Sequence, residues 1–518
     1  IHFPLNFVCH ITLNSIEIVG KSPYSSVSEM NCDSTTSLTG SKGDSIARSI
    51  VRKIKAFLKI LLPCIQIALF IALFCWIVSL LMPSDEGTVK IRDRNSTQPH
   101  TIYGYNSTTF TMRPEVAHVD CARLFQGDKD YAQEIASYRP SIRIGSSVVQ
   151  LCEAIQSKMY PPRNPNTGFP IMYARLVYMD YEFIEEQLMA NYAMENVYCY
   201  FIDKKAHSHF HDRIHKLAKC LPNVIVPASE LEMDSAGHNQ NEAHLRCMNA
   251  TRDRKWEYAV LLQNHDMLIK THDEMTEILE IYGGANDIYS GPCAADRCIS
   301  SLEKNLGKLE LCAKNLTADE RAKCESTVIH WGKGDMQVMI SRAAVEYIFT
   351  QINVFPLMKQ MNDMGYGVDE QLWGSLHVSP EIRFPGGFHS KCPHAQSITR
   401  ECAWHGTHYG AAAVWDRFTR FITNSNDNDC PSGYKRHSIC ILGVEDLPLL
   451  AASKKILANK VMPDFDYAVV SCISELLFNR TRDGSTVNRE FYENINTVRY
   501  HRERQQPDFS IDTFECEK

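Results

Sequence analysis

Residues 171–178 read IMYARLVY, and residues 197–202 read VYCYFI. Both are short apolar runs rich in β-branched and aromatic residues, a composition typical of buried strands. Between them, residues 181–193 carry apolar side chains at helical spacing. A strand, a helix and a second strand in this order indicate parallel strands joined by a crossover helix. The sequence therefore predicts an α/β fold with a mostly parallel central sheet.

The alternation of strands and helices continues toward the C-terminus. Apolar patterns predict strands over 224–226, 256–262, 337–340 and 438–442, and helices over 209–220, 239–248, 342–352, 367–376 and 447–459. Residues 284–330 interrupt this alternation, and because they contain four cysteines we expect a disulfide-tied excursion from the core. Ligands of such sheets bind at the carboxyl ends of the strands. Attention therefore falls on Asp203 and on residues 264–266, which follow two of the predicted strands.

Toward the N-terminus, residues 60–82 form an uncharged apolar run, ILLPCIQIALFIALFCWIVSLLM. A helix of this length can cross the hydrocarbon core of a bilayer, which is about 30 Å thick. Basic residues precede the run and acidic residues follow it, so the positive-inside rule places the N-terminus in the cytoplasm. A cleaved signal peptide or a buried core helix is the alternative, but the run is long and starts far from residue 1.

This pattern predicts a single-pass type II membrane protein with four regions. They are a cytoplasmic tail (1–59), a transmembrane signal anchor (60–82), a stem (83–118) and a luminal domain (119–510) that includes the excursion at 284–330. The first methionine is Met30, which is a candidate start of the mature chain.

The composition agrees with a luminal domain. The net charge of −7 offers no case for nucleic-acid binding. All the N-glycosylation sequons follow the apolar run, at Asn95, Asn106, Asn249, Asn315 and Asn479. Four of the 19 cysteines lie at or before residue 82, which leaves 15 where disulfides can form. Because 15 is odd, one thiol is unpaired or links two copies in a disulfide-linked homodimer.

Several short motifs, in their order along the chain, resemble the core-2/I-branching β-1,6-N-acetylglucosaminyltransferase family, glycosyltransferase family 14. They include VDC at 119–121, YCYFID at 198–203, LRCM at 245–248, ISR at 340–342, VDEQLW at 368–373, SICILG at 438–443 and ANK at 458–460. The resemblance covers about residues 119–474. It implies a GT-A-like fold in a Golgi membrane protein that uses a UDP-sugar donor, inverts the anomeric centre and needs no metal ion.

The resemblance also implies a catalytic base, at Glu370 of the Asp-Glu-x-x-Trp motif. An inverting transfer is a single displacement, and a general base must take the proton of the attacking hydroxyl. An acidic pair can also simply begin a helix, where negative charge is favoured. The ordered companion motifs favour the catalytic role.

Donor contacts follow from the same comparison. Lys460 matches a lysine that meets the charge of the departing UDP, and a second basic residue stands 23 positions earlier, where this chain has His437. Since histidine is only partly charged at neutral pH, the preceding Arg436 is the alternative phosphate contact. Asp203 matches a family residue that contacts the uridine of the donor, and Leu176 matches one that makes an apolar contact with the donor. An ordinary lysine at the C-terminal end of a helix is the other interpretation of Lys460.

The acceptor side resembles the family less closely. Trp404 matches one aromatic residue of the family's acceptor site, but Gly406 stands where a tyrosine would be expected. The excursion at 284–330 replaces a charged cluster that contacts acceptors in the family. The acceptor is therefore not defined by the motifs.

Many sugar-nucleotide transferases hold a divalent ion with an Asp-x-Asp triplet. Such triplets occur at 128–130, 427–429 and 464–466, and none of them closes an apolar strand in the donor half. Acidic residues in loops of this kind are usually solvated. We expect no metal ion and no other cofactor.

The resemblance implies four disulfides, which pair Cys121 with Cys472, Cys152 with Cys220, Cys199 with Cys247 and Cys430 with Cys440. The four cysteines of the excursion, and Cys392 with Cys402, would then pair locally. Cys516 would remain unpaired.

The predicted activity is transfer of N-acetylglucosamine from UDP-GlcNAc to the 6-hydroxyl of galactose or N-acetylgalactosamine in O-glycans, by a glycosyltransferase anchored in the Golgi membrane. One alternative is a peptide O-xylosyltransferase-like enzyme that uses UDP-xylose. The other is a catalytically inactive ectodomain that binds glycans. The departure at His437 favours the inactive form, whereas Glu370 and Lys460 oppose it.

Overall fold

The computed structural model describes residues 104–105, 109–142, 152–159, 167–292, 302–389, 400–401, 430–436 and 439–516. All of them belong to one unit, Pro99–Lys518, and the other unit of the chain, Ile1–Gln98, lies outside the described residues. No helix within the described ranges is both long and apolar enough to cross a bilayer. The predicted tail and span at 1–82 lie outside these ranges.

The described residues form strands and helices in alternation. The strands are β1 (Gly104–Tyr105), β2 (Phe110–Thr111), β3 (Ile171–Val177), β4 (Val197–Ile202), β5 (Val224–Ile225), β6 (Tyr258–Leu262), β7 (Met267–Leu268), β8 (Gly291–Pro292), β9 (Gly332–Lys333), β10 (Met339–Ser341), β11 (Arg400–Glu401), β12 (Lys435–Arg436), β13 (Ile439–Cys440) and β14 (Leu457–Ala458). The helices are α1 (Cys121–Phe125), α2 (Lys129–Tyr138), α3 (Cys152–Lys158), α4 (Tyr181–Asn191), α5 (Ser208–Cys220), α6 (Gln240–Ala250), α7 (His272–Tyr282), α8 (Ala318–Glu325), α9 (Arg342–Thr350), α10 (Phe355–Asn362), α11 (Leu372–His377), α12 (Leu447–Ala452), α13 (Tyr467–Asp483), α14 (Arg489–Glu493) and α15 (Asn496–Glu503). Single turns of 3₁₀ helix lie at Val368–Glu370, Pro380–Ile382 and Val444–Asp446.

The central sheet has five strands in the order β10-β6-β3-β4-β5. Strands β6, β3, β4 and β5 run parallel to one another, and β10 runs antiparallel to β6. In this register Ala174 of β3 lies opposite Cys199 of β4 and Leu261 of β6. The prediction of a mixed α/β fold with a mostly parallel sheet is confirmed.

Both faces of the sheet are covered, which explains why β3 is apolar at every position except Arg175. Every residue of β3 and of β4 is buried. Ile171, Tyr173 and Val177 face one apolar core, whereas Met172 and Leu176 face a second. Alternate side chains of a strand point to opposite faces, so a strand between two cores needs apolar residues at nearly every position.

One predicted helix is partly wrong. The pattern predicts a helix over 447–459, but α12 ends at Ala452 and residues 457–458 form β14. Strand β14 pairs with β7 in a small sheet, where Leu457 lies opposite Leu268. Pairing with a distant segment overrides the local helical pattern in these residues.

The predicted helix over 367–376 is also divided. A 3₁₀ turn at Val368–Glu370 precedes α11, and the two are separated by Gln371. The carbonyl oxygen of Glu370 accepts a hydrogen bond from the Gly334 N–H at 2.6 Å. Because this bond comes from another segment, the turn that carries Glu370 is set apart from the helix.

The structure contains the four disulfides that the resemblance implies, Cys121–Cys472, Cys152–Cys220, Cys199–Cys247 and Cys430–Cys440. Within the excursion, Cys312 pairs with Cys324. The prediction that Cys516 stays unpaired is wrong, because Cys516 is disulfide-bonded. The predicted pairing of Cys392 with Cys402 falls outside the described ranges.

Candidate functional site

The carboxyl ends of β3, β4 and β6 lie at one edge of the sheet, because the three strands are adjacent and parallel. Residues that follow these strands contact one another. The Asn264 side-chain oxygen accepts from the Tyr178 N–H at 2.9 Å, and the Asp203 N–H donates to the Val177 carbonyl at 2.9 Å. This edge, called the strand-end edge below, is where the fold class places ligands.

Asp203 lies at this edge as predicted. Its side chain is largely buried, and one carboxylate oxygen accepts from the N–H groups of Lys205 at 3.0 Å and Met233 at 3.4 Å. The carboxylate therefore organises the loops that follow β4. Leu176 is 4% exposed and belongs to the core beneath the edge, so it contributes apolar packing there.

Asp266 is the polar centre of the turn after β6. Its carboxylate accepts from the Gln263 N–H at 2.6 Å, from Gln337 Nε2 at 3.1 Å and from Asn459 Nδ2 at 2.6 Å. Its carbonyl oxygen accepts from Arg175 Nη1 at 2.8 Å, and burial lowers the pKa of Arg175. One buried carboxylate thus joins three distant segments at the strand-end edge.

Lys460 follows directly after Asn459 and is held by backbone bonds on both sides. The Leu442 N–H donates to the Lys460 carbonyl at 3.0 Å, and the Val461 N–H donates to the His265 carbonyl at 3.1 Å. Lys460 is half-buried. It does not end a helix, because α12 stops at Ala452. The interpretation of Lys460 as an ordinary helix-terminal lysine is therefore wrong.

Arg436 lies on a short hairpin beside the same edge. It pairs with Ile439 across β12 and β13, and the Cys430–Cys440 disulfide closes the hairpin. Burial raises the pKa of Tyr178, and the adjacent Arg436 guanidinium opposes that effect. Because Tyr178 directly follows β3, Arg436 lies at the strand-end edge. His437 lies outside the described residues.

Glu370 occupies the 3₁₀ turn before α11. Its side chain is 31% exposed, and its carboxylate lies 3.2 Å from the ammonium of Lys333. The Lys333 side chain is 19% exposed. The turn is bound to the segment before α6, since the Val368 N–H donates to the Ala236 carbonyl at 3.1 Å. The side chain of Asn241 also donates to the Asp369 carbonyl at 3.4 Å.

A short stretch of backbone connects Glu370 to the strand-end edge. Lys333 contacts Glu370, and Gln337, four residues later, donates to Asp266. The segment from Lys333 to Gln337 therefore joins Glu370 to the turn that also holds Asn459, the residue before Lys460. An accessible carboxylate can remove a proton from a bound hydroxyl, and cations at the strand-end edge can offset negative charge on a leaving group.

The Asp-x-Asp triplets have structural roles where they are described. Asp128 accepts from the Tyr131 N–H and caps α2, and Asp466 caps α13 and pairs with Arg139 at 2.7 Å. The triplet at 427–429 lies outside the described residues. Within the ranges that the structure describes, no three His, Cys, Asp or Glu side chains converge in a group that could hold a metal ion.

The remaining predicted residues lie at the surface or outside the described part of the chain. Asn249 and Asn315 are exposed, and Asn479 is half-buried on α13. Asn95, Asn106 and Trp404 lie outside the described ranges.

Sequence reasoning missed Lys333, Gln337 and Tyr178. Tyr178 is the last residue of a predicted strand, so the rule that ligands bind at strand ends could have selected it. Lys333 and Gln337 carry no local signal, because their partners are far away in the sequence.

Comparison with known proteins gives a consistent set of matches. A family model described as the Core-2/I-branching enzyme matches residues 171–451, a range that includes Glu370 and Arg436 and ends before Lys460. The chain is 25% identical over 349 residues to a Bos taurus protein named beta-1,3-galactosyl-O-glycosyl-glycoprotein beta-1,6-N-acetylglucosaminyltransferase 3, with 65% of this chain and 75% of the relative covered. The Mus musculus protein of the same name is 26% identical over 345 residues, with 64% and 75% covered. A Bovine herpesvirus 4 protein named beta-1,3-galactosyl-O-glycosyl-glycoprotein beta-1,6-N-acetylglucosaminyltransferase is 24% identical over 392 residues, with 72% and 85% covered.

Proposed function

The chain belongs to the Core-2/I-branching enzyme family and is a glycosyltransferase, and we propose that it transfers N-acetylglucosamine from UDP-GlcNAc to the 6-hydroxyl of galactose or N-acetylgalactosamine in O-glycans. A glycosyltransferase of this family uses a nucleotide-sugar donor and a glycan acceptor. The names of the relatives, which specify a β-1,6-N-acetylglucosaminyltransferase acting on O-glycosyl glycoproteins, support this donor and this linkage.

One structural observation carries the proposal. Glu370 is the accessible carboxylate of the Asp-Glu-x-x-Trp motif, and the backbone from Lys333 to Gln337 links it to the turn that holds Asn459 and Lys460. A base and a phosphate-binding cation must lie near each other in a single-displacement transfer, because the hydroxyl attacks as the nucleotide departs.

In the proposed reaction, Glu370 is the general base. It takes the proton of the acceptor hydroxyl as the oxygen bonds to the anomeric carbon of the donor sugar. The bond from that carbon to the β-phosphate oxygen of UDP breaks in the same step, so the configuration inverts. The proton ends on Glu370, and the electron pair leaves with UDP.

The departing UDP gains negative charge, and we assign its stabilisation to Lys460 and Arg436. Both are cations at the strand-end edge, and the chain between them is held by the Leu442 bond to the Lys460 carbonyl. Two fixed cations can provide the electrostatic stabilisation that other sugar-nucleotide transferases obtain from a divalent ion. The proposal therefore includes activity without a metal.

We also propose that the chain works in the Golgi lumen as a type II membrane protein anchored by residues 60–82. Disulfides persist in oxidising compartments, and the described luminal region contains five of them among its own residues. The exposed sequons Asn249 and Asn315 suit the same compartment.

The test is UDP release by the purified full chain, with UDP-GlcNAc and a core-1 O-glycan acceptor, in the presence of EDTA. We expect turnover that EDTA does not reduce, and loss of that turnover in Glu370→Gln. A product with a β-1,6 linkage, identified by NMR, would establish the regiochemistry.

Three results would change the proposal. Turnover with UDP-xylose and a peptide instead of UDP-GlcNAc would favour the xylosyltransferase-like activity. Loss of activity in EDTA, with recovery on adding Mn²⁺, would contradict the metal-independent mechanism. Saturable glycan binding without turnover of any UDP-sugar would favour an inactive ectodomain.

A further inference from the structure

We propose that Lys333 is a positioning residue for the catalytic base. Its ammonium holds the Glu370 carboxylate in the orientation that takes the proton from the hydroxyl of the acceptor glycan. This inference rests on the proposed function, in which Glu370 is the base. None of the sequence motifs points to Lys333, and only the tertiary structure brings it to Glu370.

The contact between the two side chains is direct. Lys333 Nζ lies 3.2 Å from Glu370 Oε2, and both side chains are partly shielded from water, with 19% and 31% of their surface exposed. A glutamate side chain has several rotatable bonds, so a carboxylate at the surface samples many orientations unless a partner restricts it. The ammonium is such a partner.

The backbone on both sides of Lys333 is anchored to the segment that carries Glu370. The Gly332 N–H donates to Ser375 Oγ at 3.1 Å, and the Gly334 N–H donates to the Glu370 carbonyl at 2.6 Å. The carbonyl of the base is thus bonded to the residue that follows Lys333. The charged ends of the two side chains and their backbones are held together as one unit.

The close approach of these segments depends on glycine. A Cβ at Gly332 would collide with Ser290 Oγ and the backbone of Gly374, and a Cβ at Gly334 would collide with the Tyr289 carbonyl. Strand β9 also pairs with β8, with Lys333 opposite Gly291. A lysine on so constrained a backbone has less freedom to leave its partner than a lysine in an open loop.

The role of this pair in the reaction is geometric. The hydroxyl proton moves to Glu370, the acceptor oxygen bonds to the anomeric carbon, and the bond to the UDP oxygen breaks. Lys333 keeps its proton throughout, so it neither donates nor accepts a proton in the step. A base that is misplaced by about 1 Å can cost up to a hundredfold in rate, which is why an orienting contact matters.

The test compares Lys333→Met and Lys333→Arg in the purified full chain. Methionine keeps the length and apolar stem but removes the ammonium, and arginine restores a cation. We expect Lys333→Met to lower kcat about tenfold with an unchanged KM for UDP-GlcNAc, and Lys333→Arg to recover most of the activity. Unchanged kcat in Lys333→Met would overturn the inference.

Lys158→Met is the matched control. Lys158 is 20% exposed and pairs at 2.7 Å with Glu185 of α4. We expect this variant to lower the melting temperature while the kcat of the folded enzyme stays unchanged. An equal fall in kcat for both lysine variants would mean that Lys333 acts only through stability, and the inference would fail.

A double variant tests whether Lys333 acts through Glu370. In the Glu370→Gln background, Lys333→Met should cause no further loss, since the side chain it orients is no longer a base. A further tenfold loss in that background would show that Lys333 acts independently of Glu370, which contradicts the inference. Full activity of Glu370→Gln itself would instead refute the base of the proposed function.

A structural measurement is independent of the substrate. A crystal structure of Lys333→Met should show the Glu370 carboxylate rotated or in several conformers. An unchanged, single orientation of Glu370 would overturn the inference even if no donor gave turnover.

Discussion

The glutamates of helix α4 and Glu370 are all paired with basic groups, but they differ in their exposure to solvent. Glu182, Glu185 and Glu186 lie on α4, and each is buried with a cation or hydroxyl as partner. Glu370 lies on a single 3₁₀ turn, and almost a third of its side chain remains exposed beside Lys333. Pairing alone therefore does not distinguish a structural acid from a candidate catalytic one.

Access to solvent distinguishes the two regions. A buried carboxylate needs partners on every side, because an unpaired buried charge costs several kcal/mol. Such a group cannot take a proton from a substrate that never reaches it. A carboxylate held by one lysine and open on another side can do so. Four variants and one matched control test whether this comparison separates activity from stability.

The largest effect should come from Glu370→Gln. The amide keeps the shape of the side chain but cannot act as a base, so we expect kcat to fall about 10²- to 10⁴-fold. The melting temperature should change little, because the carboxylate is partly solvated. Steady-state kinetics and thermal unfolding measure the two quantities.

Glu277→Gln is the matched control for that variant. Glu277 pairs with Arg489 at 3.2 Å and is also 31% exposed, but it lies on α7, away from the strand-end edge. Its replacement should leave kcat unchanged. If both variants lose activity equally, accessibility beside a cation does not mark the base.

Glu186→Leu should produce the largest loss of stability. Glu186 accepts a hydrogen bond from the Tyr467 hydroxyl and lies 3.7 Å from Arg113, whose pKa it helps to raise. Removing the carboxylate leaves the Arg113 charge without this partner in a largely buried site, so we expect the free energy of unfolding to fall by about 3–5 kcal/mol. Denaturant unfolding measures it. A change below about 1 kcal/mol would show that this pair is not structural.

Asp446→Asn should change the pH dependence of stability. Burial raises the pKa of Asp446 to about 7, and the nearby Glu445 and Asp466 carboxylates also raise it, while the Gly443 N–H and Arg139 oppose the rise. The folded protein therefore holds a proton that the unfolded chain, with a pKa near 3.8, releases. Stability must fall as the pH rises between these values.

Asparagine at this position cannot lose a proton. We expect Asp446→Asn to gain stability relative to the parent protein as the pH rises from 4 to 8, by about 4 kcal/mol. Melting temperatures of both proteins across this pH range measure the difference. Parallel curves would mean that Asp446 ionises in the folded protein as it does in the unfolded chain.

The smallest effect should come from Lys359→Ala. Lys359 pairs with Asp363 at 3.0 Å, but the two side chains are 80% and 68% exposed. Exposed pairs of this kind contribute only about 0.3–0.5 kcal/mol, because water screens both charges. The loss in the free energy of unfolding caused by Lys359→Ala should stay within that range. A loss of more than 1 kcal/mol would show that exposure does not rank these ion pairs.

The sequence predicted the sheet well because the signal is local. Strand β4 falls on 197–202 as expected, and β3 differs from its predicted range by one residue. The four disulfides implied by the family resemblance are present. The helix predicted over 447–459 is wrong in its C-terminal part, since β14 pairs there with β7, about 190 residues earlier in the chain.

The candidate site divides in the same way. Asp203, Glu370 and Lys460 could be selected from motifs, and the strand-end rule pointed to residues 264–266. The Lys333 contact with Glu370 joins residues 37 apart, and Gln337 reaches Asp266 across 71 residues. No periodicity or spacing in one sequence encodes such pairs.

The sequence by itself determined most of the order of strands and helices, the cysteine-rich composition after residue 82 and the motif residues of the candidate site. Each of these follows from local hydrophobic period or residue type. Only the tertiary structure decided that Glu370 lies beside Lys333, that Asp266 joins Gln337 to Asn459, and that Lys460 does not end a helix. The physical reason is that polar side chains at a site are positioned by long-range contacts, whereas apolar periodicity reports only which face of an element is buried.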